Sequence, residues 1–480
     1  MVSLILPAVL AGGAGCRLWP MSRRDLPKPF LTFGGQASLL EETLRRVTHP
    51  AFAAPLVICA QEHSALVQEE ARRASCPAPT LLIEKTPRGI ASAAALAALY
   101  TADTHGADTL LLLAPADHQI ADREAFIKTV QAGHDAARAG AIVTFGRVPE
   151  RPRTGFGYLH IGAGEAPHPV HRFVEKPEDA VAEALFSSGE ALWNTGLFLT
   201  RAGTLLAAFR AHAPEILTAC ERAHAARETG SGLVGYGHAG LGALAEMSID
   251  RAVMEKAEGL CCIPFSGAWR DLGSWSDLAD TLARDDNGNA MLGDAVLEGC
   301  DACLAISDDG GLLALAGMTN TLAVSTGDSV LVAPLDAAGA DLRSLVARLR
   351  DNGRSEPFVT PKNRAPWGLS KRLAQGPGYC VKSLVLEPGG HLSRQRHRHR
   401  CEHWIVVEGT GQVELDGKSR VLTPGESLFI PVGSWHRLGN TEDTPLRIIE
   451  VQFGDRLDEA DIERDADLYG RSRGTPFREP

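Results

Sequence analysis

Along the first 285 residues, short apolar runs alternate with longer stretches whose apolar positions recur every three or four residues. The runs are "SLILPAVLA", "PLVICA", "TLLLLAPAD" and "AIVTFGRV". Between or after them lie "SLLEETLRRVT", "EHSALVQEEARRA" and "DREAFIKTVQAGHDAARAG". Runs that are apolar at nearly every position suit strands covered on both faces. The alternation predicts an α/β domain over residues 1–285, with a mostly parallel sheet and helices on both faces.

From 286 to 355 the pattern changes to short β-like pieces, "ACLAIS", "GLLALAG", "NTLAVST" and "SVLVAPL", followed by one helical segment, "ADLRSLVARLR". This predicts a small β-rich connecting subdomain. The Pro-containing, polar "SEPFVTPKNRAPWG" reads as a linker. Residues 356–480 then alternate in short strands separated by Gly/Pro turns, as in "YCVKSLVLEPGG", "HWIVVEGTGQVELDG", "SRVLTPGESLFIPVG" and "PLRIIEVQFG". Such spacing predicts an all-β sandwich or barrel. A chain of 480 residues exceeds one ordinary core, in keeping with several domains.

Composition narrows the function classes. Hydrophobic residues make up 44% and charged residues 22%, as in an ordinary soluble globular protein. A net charge of −11 argues against general nucleic-acid binding, though not against a local basic pocket. No apolar stretch approaches the roughly twenty residues of a membrane span. The opening "MVSLILPAVLAGGAG" lacks a basic start and runs into a glycine turn, which suits a buried first strand rather than a secretory signal. Ten scattered cysteines lack the spacing of a disulfide scaffold, so a reducing cytoplasm is expected. Cys300 and Cys303 form one C-x-x-C without a second pair, and it reads as incidental.

The first strand ends in "LAGGAGCRLWPMSRRDLPKPF". Gly12, Gly13 and Gly15 would let backbone N–H groups approach a phosphate closely. Leu18 stands where a dinucleotide-binding loop would need its last glycine, and no G-K-[ST] follows. Arg17 and Lys28 instead place two cations beside the loop, which suits a triphosphate and the charge of a leaving pyrophosphate.

The run GG-x-G-x-R-L-W-P-x-S-R…PK-x-F closely resembles the signature of sugar-1-phosphate nucleotidyltransferases, and with "LWP" and "SR" the mannose-1-phosphate guanylyltransferase branch. Further pieces fall in that family's order: "LLLAPADHQI", "RPRTGFGYLHI", "RFVEKPE", "LWNTGLF", "SIDRAVMEK" and "WRDLGSW". The resemblance implies a Rossmann-like nucleotidyltransferase fold. It also implies Mg²⁺ held by Asp117 and Asp271, with Arg17 and Lys28 at the departing pyrophosphate and Arg88 near the nucleotide. Gly155, Tyr158, Glu175, Lys176, Asn194 and Gly196 would serve the sugar phosphate. In the implied reaction a mannose 1-phosphate oxygen attacks the α-phosphorus of GTP in line, so positioning and electrostatics dominate.

The chain also departs from the family. The usual G-R-N-T-A-P-A appears as "PRGIASA", where Arg88 and Ala91 remain but Gly89 and Ile90 replace the polar pair. Cys16 and Ala60 replace a threonine and an asparagine.

The stretch "SRQRHRHRCEHWIVVEG" looks at first like a basic patch. As one continuous strand, period two puts Arg394, Arg396, Arg398 and Arg400 on one face, and Gln395, His397, His399, Cys401 and His403 on the other. A second segment, "GESLFIPVGSWHRLGN", matches G-x5-P-x-G-x2-H-x3-N, the second motif of cupin barrels. The first resembles its companion. Together they imply a cupin barrel in which His397, His399 and His436 hold a divalent metal such as Zn²⁺ or Co²⁺. For the fourth ligand, His403 is in phase and is the expected one, with Glu402, which needs a local bulge, as the alternative.

"PWG", "VKSLVLEPGG" and "IEVQFGD…DIERDADLYGR" extend a resemblance to type II phosphomannose isomerases fused behind a guanylyltransferase, an order that fits the entire chain. This implies interconversion of mannose 6-phosphate and fructose 6-phosphate through an ene-diolate. Arg400 or Arg437 would hold the phosphate, Gln395 would be a ligand or substrate contact, and Glu402 would be a candidate base if it is not a ligand.

The expectation is a bifunctional cytoplasmic enzyme using GTP, mannose 1-phosphate and mannose 6-phosphate or fructose 6-phosphate, with no nucleic-acid or membrane partner. Assembly as a homo-oligomer stays open. Two alternatives remain: a guanylyltransferase whose barrel only binds sugar or oligomerises, and a non-catalytic nucleotide sensor.

Overall fold

In the computed structural model, residues 4–13, 16–34, 37–230, 232–238, 240–336, 338–365 and 367–466 are described. The chain forms two units, Met1–Ala290 with Pro334–Ala347, and Met291–Ala333 with Arg348–Pro480. The uninterrupted apolar runs become strands β1 (Leu6–Leu10), β2 (Leu56–Ala60), β3 (Thr80–Glu84) and β4 (Leu110–Pro115). A short β5 (His118–Ile120) and β6 (Ile142–Arg147) follow. Then come β7 (Tyr158–Ile161), β8 (His168–Val174), β9 (Ala191–Arg201) and β10 (Glu228–Gly230). The set closes with β11 (Leu233–Tyr236), β12 (Leu260–Pro264) and β13 (Trp269–Asp271).

Eleven of these make one sheet in the order β10-β11-β3-β2-β1-β4-β9-β6-β12-β8-β7, while β5 pairs with β13. The block β11-β3-β2-β1-β4 is parallel throughout. Beyond β4 the sheet is widened by antiparallel pairing through β9, with β6 and β12 parallel to each other.

Alternate residues of the central strands feed two cores. Leu6, Ala8, Leu10, Leu111 and Leu113 pack on one face with the alanines of α3 (Ile90–Thr104). Val9, Leu110, Leu112 and Ala114 pack on the other with Leu40 and Leu44 of α1 (Leu39–Val47) and Val67 of α2 (Ser64–Arg73). Both faces of the sheet are therefore covered, which is why these strands read as continuous apolar runs. Ser38 caps α1 by accepting from the Glu41 N–H at 3.1 Å, and Glu41 and Glu42 occupy the first turn where the helix dipole favours them.

The second unit begins with short strands paired in parallel, Ala295–Glu298 with Leu313–Ala316 and Leu304–Ser307 with Thr321–Thr326. Cys300 and Cys303 are buried core residues there, packed with Ala305, Leu315 and Ala323. They are fillers of a small core, as the isolated C-x-x-C suggested.

After residue 348 come two all-antiparallel sheets, one of six strands and one of five. Trp404, Val406, Leu438, Leu446 and Ile448 point inward from both sheets to form the barrel core. The architecture is the expected α/β nucleotidyltransferase domain and cupin-like barrel. Among the described residues no helix is long and apolar enough to cross a membrane.

Candidate active sites

Strands β1 and β4 lie side by side in register, Leu10 beside Pro115, so the segments leaving them rise together at the carboxyl ends of the parallel block. There a cavity of about 480 Å³ opens. Its lining includes Gly12, Gly13, Arg17, Lys28, Asp117, Gly155, Glu175, Lys176, Asn194, Gly196 and Asp271. Gly13 has φ +121°, and a Cβ added at Gly12 or Gly13 would meet nothing within 4 Å. The loop therefore leaves open room at its backbone for a ligand. Gly15 lies outside the described residues.

Pairing of β5 with β13 sets His118 opposite Asp271, which draws the neighbouring Asp117 toward it from 154 positions away in the chain. Lys28 bridges the two carboxylates, with Nζ 2.7 Å from Asp271 Oδ1 and 2.9 Å from Asp117 Oδ2. Burial opposes the Lys28 charge, but the two carboxylates outweigh it and raise its pKa. Burial likewise works to raise Asp271, but Lys28, His118 and Arg17 hold its carboxyl well below the usual range. Two carboxylates converging on one cation is the donor chemistry a hard divalent ion takes, completed by substrate phosphates. His118 accepts at Nδ1 from the Trp269 indole N–H at 3.3 Å, and burial lowers its pKa.

At the other end, Lys176 sits at φ +50° and donates to Glu175 Oε1 at 2.6 Å. A non-glycine residue held in that region marks a constrained site. Asn194 accepts from Thr144 Oγ1 at 3.0 Å and from the Gly196 N–H at 3.1 Å, and donates to Asp250 Oδ1 at 3.0 Å.

Two expected members stand elsewhere. Tyr158 is fully buried and its hydroxyl accepts the Arg153 N–H at 2.7 Å, so it props the sugar-side loop instead of lining the cavity. Arg88 donates to the carbonyls of Leu241 and Gly242 at 3.2 and 2.8 Å, tying the loop before α3 to a remote segment. Its neighbour Ile90, 45% exposed, lines the cavity in its place. Sequence reading also missed His118, Asp250 and Arg343 as lining residues. Arg343 lies on the helix Ala338–Asp351, in the segment 334–347 that belongs to this unit. His118 and Asp250 were visible inside quoted motifs, but nothing local distinguishes Arg343 from a surface helix arginine.

In the barrel, the basic stretch is not one strand. Arg394–His397 belongs to the five-stranded sheet and Arg400–Glu408 to the six-stranded sheet, with a bend at residues 398 and 399 between them. Asp461 pins that bend by accepting the N–H groups of Arg398 and His399 at 3.0 and 3.2 Å. The bend shifts the pleat by one residue. His397 points inward before it, whereas Arg400, Glu402 and Trp404 are the buried residues after it.

The ligand set is corrected accordingly. His399 has a side chain 47% exposed, 3.6 Å from Asp455. His403 faces outward, edge-on to Phe429. Glu402 takes the inward place without a bulge.

His397, Glu402 and His436 offer ligand atoms all within 4.8 Å of one another. His397 Nε2 is 3.0 Å and His436 Nε2 3.6 Å from the Glu402 carboxylate. Yet His397 Nδ1 and Nε2, His436 Nε2 and Glu402 Oε2 are buried without a hydrogen-bond partner. His436 Nδ1 lies 3.0 Å from the Ser434 carbonyl, where only a protonated nitrogen is satisfied, leaving the Nε2 lone pair free. Such orphaned atoms are what a divalent metal would satisfy.

Burial alone would raise Glu402, but His397, His436 and Arg400 hold it low, while burial lowers His436. Arg400 is itself buried and donates to Glu402 Oε1 at 3.2 Å and to the Asp458 carbonyl at 2.9 Å, so it positions Glu402 and is not a free phosphate clamp. Gln452 also donates to Glu402, at 3.0 Å. Arg437 turns away from His436 to Glu414, 3.1 Å away. Gln395 sits opposite His436 across the strands, on the His397 side. Arg394 and Arg396 lie over the Trp435 ring at 5.1 and 4.7 Å and pair with acidic residues. Arg394, Arg396 and Arg398 are thus an external, acid-paired face, while Arg400 is turned into the barrel.

Residues 6–288 match the nucleotidyl transferase family, and residues 352–467 the mannose-6-phosphate isomerase C-terminal family. The chain is 40% identical to a mannose-1-phosphate guanylyltransferase of Klebsiella pneumoniae over 98% of its own length and all of that protein. It is 39% identical to the alginate biosynthesis protein AlgA of Pseudomonas aeruginosa, covering 98% of each chain. The xanthan biosynthesis protein XanB of Xanthomonas campestris is also 39% identical, over 98% of this chain and all of that one. Among solved structures, one described as a mannose-1-phosphate geranyltransferase from Thermus thermophilus superposes with a TM-score of 0.62 at 33% identity, covering 73% of this chain and 100% of that one.

Proposed function

The chain belongs to the nucleotidyl transferase family, alongside mannose-1-phosphate guanylyltransferases that share its full length, and on that premise we propose that it makes GDP-mannose from GTP and mannose 1-phosphate. What carries this reading is the meeting, in one cavity, of the glycine loop, Arg17, the Asp117–Lys28–Asp271 bridge and Lys176. A mannose 1-phosphate oxygen attacks the α-phosphorus of GTP, the bond to the β-phosphate oxygen breaks, and pyrophosphate leaves with the electron pair. Gly12 and Gly13 present backbone to the triphosphate, Arg17 and Lys28 offset the charge on the leaving group, and Lys176 holds the sugar phosphate. A divalent cation such as Mg²⁺, held by Asp117 and Asp271, would screen the repulsion between the two phosphates.

The barrel is proposed to interconvert mannose 6-phosphate and fructose 6-phosphate. Its support is the buried His397–Glu402–His436 cluster with unsatisfied ligand atoms. A divalent metal such as Zn²⁺ or Co²⁺ bound there would polarise the oxygens at C1 and C2. Arg400 and Gln452 orient Glu402, and His436, with Nδ1 on the Ser434 carbonyl, keeps its Nε2 inward. A cytoplasmic setting belongs to the same proposal, since GTP and sugar phosphates are made inside cells.

Two assays on one preparation decide between these readings. GDP-mannose and pyrophosphate are expected from GTP, mannose 1-phosphate and Mg²⁺, falling on the order of a thousandfold in Asp271→Asn. No pyrophosphate from the unmodified chain overturns the transferase reading and favours a nucleotide sensor. Isomerase activity should be lost to a chelator, return with Zn²⁺ or Co²⁺, and be absent in the His397→Ala/His436→Ala double variant. Full activity in that variant overturns the metal assignment. No isomerase activity in the unmodified protein leaves the barrel as a sugar-binding or oligomerising module.

A further inference from the structure

Asp250 opens a five-residue π-helical turn, Asp250–Met254, a rare form frequently found at functional sites. It lines the transferase cavity together with Glu175, Lys176 and Asn194. Its Oδ1 accepts from Asn194 Nδ2 at 3.0 Å. Asn194 is thereby held at both ends, because its Oδ1 already accepts from Thr144 and from the Gly196 N–H. An amide engaged in this way has one orientation, with a single N–H left over. The carboxyl of Asp250 has acceptor capacity beyond this one bond, and it borders the same cavity.

We propose that Asp250 is a positioning and specificity residue for the hexose 1-phosphate: it fixes the Asn194 amide and offers the carboxyl beside it to the sugar hydroxyls. This rests on the guanylyltransferase reading. Removing Asp250 frees Asn194 to rotate and should weaken sugar-phosphate binding while leaving the nucleotide end alone, because no contact joins Asp250 to the glycine loop, Arg17 or Lys28 among the described residues.

The charge state adds a pH signature. Burial, and then the neighbouring Glu175 carboxylate, push Asp250 up to about 7. Below that pH the carboxyl is neutral and can also donate. Above it, a second negative charge stands beside Glu175 and faces an anionic substrate. Lys176 offsets it, Asn194 donates to it, and Arg17, Lys28, His118, Asp117, Asp271 and Arg343 face the same cavity. The sugar phosphate itself has a second ionisation near about 6. All of these are common to the unmodified protein and an Asp250→Asn variant, so the ratio of the two profiles isolates Asp250.

The experiment uses the full chain. KM values for mannose 1-phosphate and GTP are measured from about pH 5.5 to about pH 8.5, which brackets the titration, for the unmodified protein, Asp250→Ala and Asp250→Asn. Calorimetric Kd values for mannose 1-phosphate accompany them. Asp250→Ala is expected to raise KM and Kd for the sugar phosphate about tenfold, with KM for GTP changed less than about twofold. Asp250→Asn still accepts from Asn194 and should restore most of the affinity. Its sugar-phosphate KM should also lose the rise that the unmodified protein shows as pH passes about 7.

Equal rises for both substrates, a fall in kcat alone, or parallel pH profiles overturn the assignment. If the unmodified protein binds mannose 1-phosphate without turnover, the activity reading fails and the Kd ratios still decide Asp250. If it neither binds nor reacts, both fall.

Discussion

Glu402 and His403 are neighbours, and backbone pleating sends them to opposite faces of one strand. Extrapolating a single pleat from His397 through a continuous strand puts His403 inward; the bend at residues 398 and 399 reverses that parity. The chemistry follows the buried side, since a metal needs ligands that are desolvated and otherwise unsatisfied. Glu402 is 1% exposed, and its Oε2 has no hydrogen-bond partner. Glu402→Gln is therefore expected to weaken retention of Zn²⁺ or Co²⁺ by at least about a hundredfold and to abolish isomerase activity. His399→Ala and His403→Ala should leave both within about twofold. Metal titration monitored by isomerase rate checks all three, and a metal loss in His403→Ala equal to that of Glu402→Gln would contradict the assignment.

The turn into α3 shows the same dependence on distant contacts. "PRGIASA" looks like a weakened nucleotide motif, with glycine where the family carries a polar residue. In the fold, Gly89 has φ +88°, and a Cβ there would lie 2.7 Å from the Met247 carbonyl oxygen. The Ala91 N–H donates to that same carbonyl at 3.1 Å, so the helix start is docked on the segment around Met247. Glycine at 89 is a requirement of this close approach, and Arg88 serves it by holding the Leu241 and Gly242 carbonyls. Gly89→Ala should cost about 1–3 kcal/mol. That would appear as a fall of several degrees in Tm. Thermal melting of the variant checks it, and an unchanged Tm would mean the segment around Met247 yields freely.

At the scale of the whole molecule, the transferase unit does not end where its last motif ends. Residues 334–347 return to it after the short parallel strands of the second unit, and they bring Arg343 to the cavity wall. Among the described residues Arg343 has no ion-pair or hydrogen-bond partner, so its charge is available to a phosphate oxygen. Arg343→Ala in the full chain should raise KM for GTP or for mannose 1-phosphate about three- to tenfold and leave the isomerase reaction unchanged. Steady-state kinetics of both reactions on one preparation test this. Unaltered KM values for both transferase substrates would place Arg343 among ordinary surface residues.

Asp117 and Asp271 were legible only through a family resemblance; the linear chain by itself determined the parallel block, the glycine loop with Arg17 and Lys28 beside it, and the antiparallel barrel. Each is written in local spacing: apolar runs for strands covered on both faces, glycines where backbone must come close, alternation with turns for the barrel. Only the tertiary structure decided the rest. The pleat phase that selects Glu402 over His403 depends on a bend held by Asp461, 62 residues or more along the chain. The clamp on Asn194 comes from Asp250, 56 residues away. Burial of Tyr158, the diversion of Arg88 and the return of Arg343 depend likewise on which distant surfaces meet. Spacing fixes the direction of a side chain only within one unbroken element. Partners across elements are set by packing, which leaves no mark in the neighbouring residues.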